Sequence, residues 1–125
     1  MKAGTDFYYF DTYALVEINK GNPNYQKYLD SRLITSILNL MEFYHMLVRE
    51  GNKEIAEIKF DKYLKSCVRL TPVVIKEAVE FRLHFIKETK FKISYVDAVG
   101  YVIAKKLGVK FLTGNESFRK VEFAK

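Results

Sequence analysis

Three carboxylates in this sequence fall where a reactive rim would need them. Asp11 ends the aromatic run Phe7-Tyr8-Tyr9-Phe10, Glu42 lies within the segment after Leu33-Ile34-Thr35, and Asp97 stands three residues beyond Ser94. Asn115 and Glu116 follow the stretch Val109-Lys110-Phe111-Leu112-Thr113. Oxygen donors converging on one rim suit a hard divalent cation such as Mg²⁺ or Mn²⁺, which would activate water and polarise a phosphodiester. Each acid also has a plainer use. Asp11 before Thr12 is a helix cap, and Ser94-Tyr95-Val96-Asp97 fits the [ST]-x-x-[DE] capping pattern. Glu42 shares a polar helix arc with Arg49, as a solvated glutamate would.

Other chemistries fit less well. Glu42 and His45 have the E-x-x-H spacing of carboxylate di-iron bundles, but Glu80 and His84 are four apart, so the required second motif is missing. Cys67 is the only cysteine, which excludes an internal disulfide and paired thiolate ligands; between Leu64 and Val68 it reads as a small core residue. A haloacid-dehalogenase-type phosphatase would need an aspartate where Tyr13 stands, a receiver domain an aspartate near Leu70-Thr71-Pro72, and no G-x-x-x-x-G-K-[ST] loop occurs.

The elements that position the acids follow from periodicity. Phe7–Phe10 and Leu33–Thr35 read as short strands, as do Val68–Leu70, Val109–Thr113 and Val121–Phe123. Helices are expected from Thr12 to Asn19, from Pro23 through Leu29, and after Ser36 along Ile37, Leu40, Met41, Tyr44, Leu47 and Val48. Further helices carry Ile55, Ile58, Tyr63 and Leu64, then run from Thr71-Pro72 past Val79, Leu83 and Ile86 to Thr89, then from Ser94 to Gly108. Alternation of short strands and helices implies an α/β fold, a short parallel sheet covered on both faces. Such sheets bind ligands beyond the carboxyl ends of their strands, where Asp11 and Asn115 lie. At 125 residues with 49% apolar and 29% charged composition, the chain is expected to form one domain, residues 1–125, with an adequate core. It has no apolar run long enough to span a bilayer and no signal-peptide pattern, so a cytoplasmic location is expected.

The arrangement resembles the PIN-domain nucleases, especially VapC-type toxins of toxin–antitoxin pairs. Phe10-Asp11-Thr12-Tyr13-Ala14-Leu15 looks like the family's opening motif, and Asn39-Leu40-Met41-Glu42-Phe43-Tyr44 like its second. Asp97-Ala98, eleven residues before Gly108, resembles the third, and Leu112-Thr113-Gly114-Asn115-Glu116-Ser117-Phe118 the fourth. The resemblance covers nearly the whole chain with the motifs in order. It implies a PIN-like three-layer sandwich with four to five strands, Mg²⁺- or Mn²⁺-dependent endoribonuclease activity, homodimers and a small antitoxin partner. Asp11, Glu42 and Asp97 would then be the catalytic metal ligands, with Thr12 holding or orienting one of them.

One position departs from the family pattern. The fourth motif usually reads Thr-Asn-Asp or Thr-Gly-Asp, and here its aspartate is replaced by Asn115. Asn115 is a neutral, weaker donor, and Glu116 beside it is a further candidate. The formal net charge of +6 favours a polyanionic partner, and Arg119 and Lys120 beyond the fourth motif are the candidates for RNA phosphate contact. The alternative is a PIN-like module, catalytically weak or inactive, that binds RNA or a protein partner.

Overall fold

The computed structural model describes residues 6–28 and 32–114. Strand β1 (Phe7–Phe10) leads into helix α1 (Thr12–Asn19) and the one-turn helix α2 (Pro23–Gln26), then strand β2 (Arg32–Ile34). Helices α3 (Ile37–Arg49), α4 (Lys53–Leu64), α5 (Pro72–Thr89) and α6 (Tyr95–Leu107) precede strand β3 (Lys110–Leu112). The sheet order is β2-β1-β3, with both pairings parallel: Tyr8 lies opposite Leu33 on one side and Lys110 on the other. An isolated parallel bridge from Thr35 to Cys67 adjoins the sheet, while Val68–Leu70, expected as a strand, forms none of its own. The expected strand Val121–Phe123 lies outside the described residues.

Alternation along β1 makes three layers. Tyr9 points with Phe111 into a core built on α5 and α6 through Val74, Ala78, Phe85 and Ile103. Phe10 points the other way with Leu112, into a core of Leu15, Leu40, Phe43 and Leu47 from α1 and α3 and Tyr63 from α4. The second half of β1, Tyr9 and Phe10, is buried on both faces, and the strand carries no charged residue until Asp11, which is the expected pattern for a central parallel strand. Thr35 ties the neighbouring loop to it by donating its hydroxyl to the Phe10 carbonyl at 2.8 Å.

The caps fall where sequence placed them. Asp11, Ser36, Thr71 and Ser94 each accept a backbone N–H at the start of a helix, and Pro72 occupies the first turn of α5. Gly100 in α6 is a packing requirement: a Cβ there would lie 2.8 Å from Cε1 of Tyr9 and 3.1 Å from that of Phe111. Three apolar stripes differ from the expected ones. Helix α3 buries Leu40, Phe43 and Leu47 and leaves Ile37, Met41 and Val48 exposed. Helix α4 buries Ala56 and Tyr63 while Ile55, Ile58 and Leu64 stay exposed, and α5 buries Val74, Ala78 and Phe85 while Leu83 is 63% exposed. Among the described residues, no helix is long and apolar enough to cross a membrane.

Candidate active site

β1 has a neighbour on each side, so its carboxyl end opens between two outgoing connections, one into α1 and one beyond β3. Asp11 occupies this point. Its backbone N–H donates to the Leu112 carbonyl at 3.2 Å, continuing the β1–β3 pairing by one residue. Its Oδ1 accepts the Ala14 N–H at 2.8 Å as the cap of α1, so the side chain has a fixed direction. The residue is 4% exposed.

Burial and neighbouring charge set its protonation. Desolvation raises the Asp11 carboxyl from 3.8 to about 7, and the negative charges of Asp97 and Glu42 push the same way. Hydrogen bonds from the Thr113 hydroxyl and the Ala14 amide oppose the rise. Among these acids, Asp11 and Asp97 line one open cavity of about 400 Å³, together with Thr12, Tyr13, Lys20 and Gly114. A carboxylate driven this far towards its neutral form gains most from a cation beside it.

Glu42 is held to this site by a directed chain of hydrogen bonds. Tyr9 from β1 donates its hydroxyl to Asn39 Oδ1 at 2.5 Å, and the Ser36 hydroxyl donates to the same oxygen at 3.1 Å. Asn39 Nδ2 donates to Thr12 Oγ1 at 3.1 Å, and Thr12 donates in turn to Glu42 Oε1 at 2.5 Å. Glu42 is therefore half-buried and fixed, unlike the solvated glutamate that its helix arc allowed. Burial raises the Tyr9 phenol above its ordinary range, so it remains a neutral donor. Asp97 is fixed differently: its Oδ2 accepts the Ser94 N–H at 3.2 Å while its own N–H donates to Ser94 Oγ at 3.0 Å. The capping box and the cavity thus use the same side chain, at a helix N-terminus that favours negative charge.

The described structure brings Asp11, Glu42 and Asp97 into electrostatic contact, although no three of the described acids, histidines or cysteines cluster tightly enough to enclose a metal ion by themselves. Asn115, Glu116, Arg119 and Lys120 lie outside the described residues. Asn39 and Tyr9 carried no expected role, and Tyr13 and Lys20 were not singled out at the cavity. Asn39 falls within the second motif, but only the tertiary contact with Thr12 reveals its use.

A PIN domain family model matches residues 8–124, and the chain belongs to that family. Solved structures share the fold. A toxin–antitoxin complex from Klebsiella pneumoniae superposes with TM-score 0.75 at 14% identity, covering 97% of this chain and 96% of that one. VapBC2 from Rickettsia felis, bound to a DNA fragment from its promoter, gives TM-score 0.75 at 18% identity, covering 95% and 97%. VapC20 from Mycobacterium tuberculosis, a toxin that cleaves the sarcin–ricin loop, gives TM-score 0.74 at 19% identity, covering 93% and 95%. No curated protein sequence matches the chain significantly.

Proposed function

We propose that this protein is a divalent-cation-dependent endoribonuclease, the toxin of a toxin–antitoxin pair. The observation that carries the reading is Asp11: a buried, direction-locked carboxylate at the carboxyl end of the central strand, raised to about 7 beside Asp97 and Glu42. The donor set fits a hard cation, because all three groups are carboxylates and their mutual repulsion is what positive charge relieves. Asp11, Glu42 and Asp97 would hold Mg²⁺ or Mn²⁺, with Asn115 as a neutral further donor and Glu116 beside it. When bound, such an ion supplies a Lewis acid for the phosphodiester and a lowered pKa for water. The protein's own residues supply position: Ala14 and Thr113 aim Asp11, Thr12 aims Glu42, and Ser94 aims Asp97. Arg119 and Lys120 would contact RNA phosphates.

The antitoxin is supported by the toxin–antitoxin complexes among the structural neighbours. The exposed Ile37 and Met41 of α3 and Ile55 and Ile58 of α4 offer apolar surface to such a partner. Homodimerisation and action in the cytoplasm belong to the same reading. Asn115 favours a second one, a module that binds RNA without cutting, since the site loses one negative charge there. A circular single-stranded RNA separates the two. The nuclease reading expects Mn²⁺-dependent linearisation by the wild-type protein and none by Asp11→Asn; bound but uncut circles with every metal would establish the binding module.

A further inference from the structure

The cavity wall beside Asp11 carries an aromatic ring that the fold holds in place without burying it. Tyr13 is 50% exposed, yet its neighbours leave it a defined seat. The Tyr25 ring lies against it with centroids 6.1 Å apart, and Gly114 packs over the Cγ–Cδ1–Cε1 side of the ring. A Cβ at Gly114 would lie 2.3 Å from Tyr13 Cδ1 and 2.5 Å from Cε1. The backbone of Gly114 is not in the left-handed region, unlike that of Gly21, Gly51 and Gly108. Its missing side chain therefore makes room for the Tyr13 ring.

Seven residues further, at the C-cap of α1, stands Lys20, exposed and also lining the cavity. Residues at this spacing share one helix face and lie about 10 Å apart along the axis. Between them Glu17 has its carboxylate engaged by Asn22 Nδ2 at 2.6 Å. We infer that Tyr13 is a stacking platform for one base of single-stranded RNA at the mouth of the acidic cavity, and that Lys20 binds a phosphate of the same strand. Aromatic stacking combined with a basic contact is how sequence-tolerant single-strand sites are built. A base inside a duplex has both faces covered, so the platform selects unpaired nucleotides. This inference rests on the nuclease reading for its substrate, but it is a claim about binding.

The test is fluorescence anisotropy of a labelled single-stranded RNA with the full-length protein in EDTA, where no turnover is needed. Tyr13→Ala is expected to weaken binding about tenfold or more, while Tyr13→Phe stays within about twofold of wild type. Gly114→Ala, which displaces the ring without removing it, should follow Tyr13→Ala. Lys20→Ala should lower the slope of log affinity against log salt by about 0.7. Circular dichroism of each variant checks that the fold is kept. Equal affinity of wild type and Tyr13→Ala, equal loss in Tyr13→Phe, no RNA binding at all, or equal affinity for the same sequence as a duplex would each overturn the platform. Affinity lost in Tyr13→Ala with no cleavage by the wild type under any metal would sustain the platform and sink the nuclease reading. Cleavage with affinity unchanged in Tyr13→Ala would do the reverse.

Discussion

Replacing Asp11 by asparagine should make the protein more stable at neutral pH while destroying its activity. The Asp11 carboxyl stands at about 7 in the folded protein against 3.8 for its ordinary value, a rise of about 3 units. The folded state therefore holds a proton there that the unfolded chain releases between pH 4 and pH 7. Stability from this group is fully present below about pH 4, falls as pH rises through 7, and levels off above it. At 1.36 kcal/mol per unit, the charged form costs about 4 kcal/mol at pH 8. Asparagine is nearly isosteric, caps a helix as well as aspartate does, and keeps an oxygen for the Ala14 N–H. Thermal unfolding in EDTA at pH 4, 6 and 8 should thus show Asp11→Asn gaining on wild type as pH rises. The gap should be negligible at pH 4 and reach about 15 °C at pH 8. A variant no more stable than wild type at pH 8, or a gap that widens on acidification, would refute the assignment of Asp11 as a destabilised, functionally retained carboxylate.

The hydrogen-bond chain to Glu42 makes its own predictions. Thr12→Val removes the donor to Glu42 and should lower cleavage at least tenfold, with Thr12→Ser restoring most of it, as measured by initial rates on a labelled RNA. Asn39→Ala removes the acceptor shared by the buried Tyr9 and Ser36 hydroxyls, so it should cost about 1–3 kcal/mol in urea unfolding and reduce cleavage as well. Gly100→Ala drives a methyl against the Tyr9 ring; its steric cost of about 1–3 kcal/mol outweighs a gain of up to about 1 kcal/mol in helix propensity, and a lower denaturation midpoint would register it.

The sequence revealed most about elements whose cause is local. Thr71-Pro72 and the Ser94–Asp97 capping box are formed by residues a few positions apart, and both stand where expected. The alternation of Tyr8, Tyr9 and Phe10 across the sheet follows from strand geometry alone. The helix stripes were less legible because α3, α4 and α5 each carry apolar residues around more than half of their circumference. Which arc turns inward is decided by neighbours: Phe43 meets Tyr63 at 5.9 Å between ring centroids, and Leu40 packs in the core with Phe10, so Met41 faces out. The acids themselves were visible by type and position, and Thr12 by its place in the first motif, whereas Asn39 behind Thr12 and Thr113 beside Asp11 were not. Asn39 is buried because Tyr9, thirty residues away, needs an acceptor, and Thr113 reaches Asp11 only through the pairing of β1 with β3.

Whether the acidic cavity cuts RNA with the help of a divalent cation is decided by cleavage of single-stranded RNA over a Mn²⁺ titration. Wild type and Asp97→Asn would be compared, with an EDTA control. The wild-type rate should rise with Mn²⁺ to saturation and vanish in EDTA, and Asp97→Asn should show no cleavage although it still folds. Cleavage that persists in EDTA, or that proceeds at the wild-type rate in Asp97→Asn, would contradict metal-dependent cleavage at this cavity.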